Sequence, residues 1–318
     1  LGKTKLYKIA NRIIGILIGA IALFYIIQLF TQKTIVVDWW ELLVKIKANF
    51  QWLALVFLLM IMNWSLETIK WRYIIKRFEI LGFWLSLKSI LFGITMSIIT
   101  PNRIGEIAGR LIYIKKENRV KGLHANSFSA VSQLLTTVLF GLIAFHFLEY
   151  RIIQSPFQEM LLMVLICVLI IAFFASNNLL RILNFASDKL NWNQNLPIKL
   201  STGLRLNVLL ISIIRYLVFS LQYLILLKMF GSELEVITAL ILVSLTFFIS
   251  TVIPTAWISD LPVRTTVAYW LFETYAGIGS IGLLASILLW IVNLFIPSIA
   301  GLMMLNRMNW LKIKSYSI

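Results

Sequence analysis

The chain is 318 residues long, 60% hydrophobic and only 13% charged, with a mean hydropathy of +0.90. That composition excludes a soluble fold of this length and points to an all-α polytopic membrane protein. The net charge of +16 does not call for nucleic acid, because the basic residues cluster at the ends of apolar segments, as they do in inward-facing membrane loops. The single cysteine, Cys167, rules out an intramolecular disulfide. His124 and His146 fall near opposite ends of one predicted helix and cannot share a metal, so no metal and no cofactor are expected.

Taken in order, residues 1–12 carry Lys3, Lys5, Lys8 and Arg12 without an acid, ahead of an apolar run from Ile13 to Phe30. No small-x-small cleavage site follows, so this run reads as an uncleaved first helix with its amino end inside. Residues 31–49 form an external connection, and a second helix runs from Phe50 towards Trp71, with Lys70, Arg72, Lys76 and Arg77 at its inner end. An apolar run from Phe83 to Thr100 then stops at Pro101. Further helices are expected over 124–148, 157–176 and 206–230. A second apolar run, Val236 to Ile253, breaks at Pro254 and is followed by a short helix from Val263 to Tyr275 with Pro262 in its first turn. The last helix covers about Gly277 to Leu305.

Charge counting decides the topology. If every apolar segment spans, the Lys/Arg bias nearly vanishes. If residues 86–116 instead form a hairpin that enters from the cytoplasm and turns at Pro101, twenty lysines and arginines fall in inside loops against four outside. Ile104 to Ile114 is also far shorter than the roughly 20 residues needed to span. Leaving the carboxyl end inside makes residues 236–275 a hairpin entering from the outside. The expected fold is therefore six spanning helices plus two oppositely oriented re-entrant broken-helix hairpins. It forms one transmembrane domain over 1–318, with inverted repeats at approximately 11–148 and 157–305, which is a transporter arrangement.

The broken segments hold the candidate site. After Pro101 a helix amino end, with free N–H groups and the positive end of its dipole, is a natural partner for an anion, and Arg103 adds a full charge. Pro101, Asn102, Arg103, Glu106 and Arg110 form the first half of the candidate substrate-binding set, with Tyr113 on the same helix side. Gly105 and Gly109 make a small strip where another helix can approach closely. The second hairpin contributes Asp260, Arg264, Tyr269 and Glu273, and Arg215 lies within helix 206–230. A charge at the bilayer centre costs about 2.5–3.5 kcal/mol on insertion scales, so this many are not incidental. A polar path for an anionic head group fits them, arginine matching phosphate through its planar fork. The competing account is internal pairing, for instance Glu106 with Arg264 or Asp260 with Arg103. Trp64, Trp71, Trp84 and Trp270 read as interfacial anchors and packing, and Glu67 with Lys70 as an ion pair near the inner interface.

The run Thr100-Pro101-Asn102-Arg103-Ile104-Gly105-Glu106 resembles the Thr-Pro-Gly-x-x-Gly-Glu motif of the flippase-like family named after the transmembrane region of lysylphosphatidylglycerol synthase. Ile253-Pro254 through Pro262-Val263-Arg264 resembles that family's second motif, a proline followed by a Gly-rich stretch ending in Gly-Val-Arg-Glu. Asn102 stands in place of the motif glycine, Asp260-Leu261-Pro262 in place of the Gly-rich turn, and Thr265 in place of the usual glutamate. The resemblance implies a flippase-like membrane protein that moves lipids between leaflets, expected in a prokaryotic plasma (inner) membrane; the Lys/Arg distribution puts both termini on the cytoplasmic side. Its partners would be membrane lipids with a phosphate head group, in a homo-oligomer or beside an envelope-synthesis protein. Without the synthase's soluble aminoacyl-transfer domain, translocation is expected rather than synthesis. A membrane transferase acting on a lipid-linked substrate, and an ion-coupled solute carrier, are the alternatives. No Asp-rich metal motif or activated nucleophile favours the former.

Overall fold

The computed structural model describes residues 24, 44, 47–99, 104–149, 163–171, 173, 174, 200–253 and 257–305. Among these the secondary structure is entirely helical. The elements are α1 (Phe50–Ile75), α2 (Phe83–Ile99), α3 (Ile104–Leu111), α4 (Arg119–Glu149), α5 (Thr202–Met229), α6 (Val236–Val252), α7 (Trp257–Ala276), α8 (Gly279–Trp290) and α9 (Ile296–Leu305). A 3-10 turn, Lys116–Asn118, leads into α4, and a π turn, Ile291–Phe295, joins α8 to α9. The predicted first helix and external connection lie almost wholly outside the described residues. Of the predicted 157–176 helix, residues 163–171, 173 and 174 are described and are helical.

Four helical stretches among the described residues are long and apolar enough to cross a membrane: Phe50–Ile75, Lys116–Leu148, Thr202–Met229 and Gly279–Met303. Lipid offers no partner for a backbone N–H or C=O, so such segments close their hydrogen bonds along the helix. Their hydroxyls follow the same rule: Thr68, Ser132 and Thr136 each donate to the carbonyl one turn back, as does Thr246 in α6. The shorter apolar helices α2 and α6 are the two runs that the sequence ends at prolines.

α1 and α5 lie antiparallel and are joined along their length. Gln222 donates to the Val56 carbonyl (2.9 Å), Lys70 to Ser212 (3.5 Å), Asn207 to Tyr73 (2.7 Å) and Arg77 to Ser201 (2.8 Å). Apolar clusters occupy both ends of this pair. One holds Val56, Leu59, Tyr223, Leu226, Leu242 and Phe272; the other holds Trp71, Ile74, Ile90, Ile94, Leu204 and Val208. Between them the buried positions turn polar, with Asn63, Glu67 and Lys70 on α1 and Ser212 on α5.

α2 and α3 fold back on each other, with Phe92 edge-on to Tyr113 at 6.2 Å. A Cβ on Gly109 would lie 2.6 Å from Cα of Gly93, and one on Gly93 would lie 2.7 Å from the Glu106 carbonyl oxygen, so two glycines bring these backbones into contact. The expected small strip is thus used within its own helix pair. α4 packs on α6 and α9 on α2, each through a glycine: Gly141 faces Phe248, and Gly301 faces Leu91 and Thr95. Thr95 also donates to the Ser298 carbonyl, at 2.8 Å.

The helix expected from Val263 begins instead at Trp257, which puts Pro262 inside α7 rather than in its first turn. Pro262 lacks an N–H, so the ladder loses one bond there. The last predicted helix is interrupted by the π turn, which lies immediately before Pro297. A missing N–H inside a continuous apolar run is relieved by such a bulge.

The Gly301 contact is testable. A Cβ there would meet the Leu91 carbonyl oxygen and Thr95 Oγ1, each at 2.3 Å, whereas at Gly203 nothing lies within 4 Å. Gly301→Val is expected to destabilise the protein by about 1–3 kcal/mol, lowering its Tm in detergent, while Gly203→Ala leaves Tm unchanged or slightly raised.

Candidate functional site

The polar band between the apolar clusters opens into a cavity of about 510 Å³. Its wall includes Asn63, Glu67 and Lys70 of α1, Glu106 and Arg110 of α3, Gln133 of α4, Arg215 of α5, Arg264 of α7, and Trp290 and Asn293 beside and within the π turn. Among the described residues, four cations and two carboxylates therefore line it.

Glu67 is the hub. Its Oε1 accepts from Nη1 of Arg110 at 2.8 Å, and its Oε2 accepts from Nζ of Lys70 at 2.9 Å and from Arg215. Arg110 reaches back one turn to Glu106 at 2.6 Å. Arg215 also donates to Asn63 Oδ1 (3.0 Å) and Gln133 Oε1 (3.1 Å). Two indoles support the guanidinium groups, Trp71 under Arg110 at 5.7 Å and Trp64 under Arg215 at 5.9 Å. One carboxylate thereby ties together α1, α3 and α5, and through Gln133 also α4.

A second cluster lies on the α7 side. Arg264 donates to Asp260 Oδ1 at 3.1 Å, and Trp290 Nε1 donates to Asp260 Oδ2 at 3.3 Å. Asp260 is buried and Arg264 partly exposed on the cavity wall.

The predicted site residues separate accordingly. Glu106, Arg110, Arg215 and Arg264 come together around the cavity, and Asp260 braces its edge. Pro101, Asn102 and Arg103 lie outside the described residues. Tyr269 packs against Leu283, away from the cavity wall, and Glu273 accepts from the Gly279 N–H at 2.9 Å, holding the first turn of α8. The Glu106 to Arg264 pair offered as an example of internal pairing does not form; among the described residues these side chains pair within their own helices instead, Glu106 to Arg110 and Arg264 to Asp260. Four-residue spacing puts each pair on one face, so no cross-hairpin approach is needed.

Sequence reasoning missed the most connected residue. Glu67 and Lys70 do pair, as expected, but they are buried in the interior rather than placed at an interface. Trp71 is fully buried and Trp64 lines the cavity, while Trp84 and Trp270 are exposed as anchors would be. The signal available was periodicity: Asn63, Glu67 and Lys70 recur at four and three residues, one polar face on an otherwise apolar helix. Among the described residues no three His, Cys, Asp or Glu side chains gather as metal ligands would.

Spanning helices that enclose a charged cavity define an integral membrane protein. The chain belongs to the lysylphosphatidylglycerol synthase TM region family, whose model matches residues 12–301. Membership relates it to lipid handling. No curated protein and no solved structure matched the chain.

Removing the hub leaves three cations without their shared counter-charge. Glu67→Gln is expected to cost about 3–5 kcal/mol, seen as a large fall in Tm or loss of folded protein. Glu67→Gln combined with Lys70→Met is expected to recover part of that loss in the same melting measurement.

Proposed function

We propose that the chain is a flippase-like translocase that moves an anionic phospholipid or polyisoprenyl-phosphate-type lipid between the leaflets of a prokaryotic plasma membrane. The head group passes through the polar cavity while the tails remain in hydrocarbon. The observation that carries this reading is a cavity whose described lining holds four cations and two carboxylates, formed partly by helices long and apolar enough to span. A net cationic pocket within a membrane is a favourable place for phosphate, and arginine is the side chain best shaped to bind it. Family membership supports a lipid as the cargo.

In this reading α2 with α3, and α6 with α7, are re-entrant hairpins that enter from opposite faces. Six helices span, both termini are cytoplasmic, and residues 11–148 and 157–305 are inverted repeats. Support comes from the antiparallel register of α1 and α5 and from the reciprocal seating of α4 on α6 and α9 on α2. Arg110, Arg215 and Arg264 contact the phosphate, Glu106 orients Arg110, and Asp260 orients Arg264. Pro101, Asn102 and Arg103 extend the same path from the first hairpin tip.

Reconstituted vesicles carrying a fluorescent anionic phospholipid, probed with a membrane-impermeant quencher, test the reading. Wild-type protein is expected to accelerate transfer. Arg264→Ala is expected to slow it by about tenfold or more, the loss of one charge-assisted contact, and to lower Tm as well because buried Asp260 loses its cation. Arg264→Ala with Asp260→Asn, which removes both charges, is expected to recover Tm but not transfer. Undiminished transfer by Arg264→Ala would overturn the assignment.

A further inference from the structure

We infer that Glu79, which lies outside the cavity, is a positioning residue for transfer: it clasps together the two connections of the α2–α3 pair and so holds Arg110 at the level of Glu67. The inference rests on the translocation reading above and adds a residue that the reading does not use.

The α2–α3 pair joins the rest of the chain through residues 76–82, after α1, and residues 112–118, before α4. Both connections meet at the Glu79 carboxylate. The Lys115 backbone N–H donates to Oε1 and Oε2, each at 3.2 Å, and Asn118 Nδ2 donates to Oε2 at 3.2 Å. Asn118 is buried, and its Nδ2 also donates to the Phe78 carbonyl at 3.2 Å. Arg72 Nε donates to the Leu81 carbonyl at 3.0 Å, which fixes the entering connection to α1. Ile75, Leu81 and Ile114, one from α1 and one from each connection, share a buried apolar cluster.

Lys115 is exposed, so water could satisfy its N–H, and exchanging water for a carboxylate adds little stability. What the carboxylate adds is a fixed distance between the two connections. That distance is transmitted into α3, because the Ile114 N–H donates to the Leu111 carbonyl and the Ile112 N–H to the Ala108 carbonyl, both at 3.1 Å. Arg110 has little room for a shift. Its side chain crosses α2 at Gly93, where a Cβ would lie 3.3 Å from Arg110 Cγ, and its guanidinium reaches Glu67 at 2.8 Å. α1 and the connection after it thus grip the α3 segment at two carboxylates, Glu67 inside the bundle and Glu79 at its edge. A head group that competes with Glu67 for Arg110 loosens the inner grip, and the outer one keeps α3 in register for Arg110 to return.

Nitroxide labels on Ile69→Cys of α1 and Ala108→Cys of α3, both exposed positions, test the inference in a Cys167→Ser background. Double electron–electron resonance on the reconstituted full chain reads the distance between the two helices, and the vesicle assay with fluorescent anionic phospholipid reads transfer per folded protein. With Glu79 present one narrow distance is expected. Glu79→Ala and Asn118→Ala are each expected to broaden it and to slow transfer about tenfold, the worth of the charge-assisted contact made by Arg110. Glu79→Gln, which keeps one acceptor oxygen, is expected to fall between, and with Asn118→Ala it carries the test if Glu79→Ala does not fold. A distance as narrow in these variants as in wild type, or a broadened one with undiminished transfer, would overturn the inference even if Tm falls, since a clasp that only stabilises behaves in that way. Failure of the wild-type chain to transfer lipid would defeat the translocation reading alone. The distances would then still decide the clasp, broadening supporting it and unchanged widths refuting it.

Discussion

The bundle depends on one buried carboxylate. Glu67 sits in the middle of an apolar helix and is shared by Lys70, Arg110 and Arg215. Placing any one of these charges alone in hydrocarbon is costly, and the cost falls only when the partners converge. Convergence requires α1, α3 and α5 to meet at a single level. The apolar clusters above and below then pack around that level, which sets both the position of the cavity and its charge.

Glycine makes the convergence geometrically feasible. Arg110 can reach Glu67 because α3 lies against α2 at Gly93 and Gly109, where neither backbone carries a side chain between them. Gly141 and Gly301 do the same for α4 on α6 and α9 on α2. Between helices in lipid there is little hydrophobic drive, so close packing through small residues and a few buried polar bonds carry the association. The Thr95 to Ser298 bond and the Arg215 contacts with Asn63 and Gln133 are of this kind.

The α7 side is organised differently. Asp260 and Arg264 pair within one helix and are tied to the rest through Trp290, which borders the π turn Ile291–Phe295. That turn places Asn293 on the cavity wall with an unpartnered oxygen. The cavity is thus asymmetric, with a dense ion-pair network on the α1, α3 and α5 side and a more open charge at Arg264. The cavity wall thus presents fixed, paired charge on one side and a partly exposed cation on the other.

Much of this was legible in the sequence. Composition and apolar run lengths settled the class, and the boundaries of α1, α5 and the paired runs at Pro101 and Pro254 follow from local chemistry. Backbone groups in lipid must bond within the segment, and proline cannot do so. Glu106, Arg110, Arg215, Asp260 and Arg264 stood out because charge in an apolar run is expensive wherever it lies. Pairing was not legible. Local spacing alone shows Glu106 near Arg110 and Asp260 near Arg264. Only the packing of α1 against α3 and α5 brings Glu67 to Arg110 and Arg215, residues remote in the chain. The sequence by itself determined a helical membrane chain with charged breaks. The tertiary structure decided that Glu67 joins them and that Tyr269 and Glu273 stand apart, because which cations surround a buried carboxylate is set by which helices the small residues let approach.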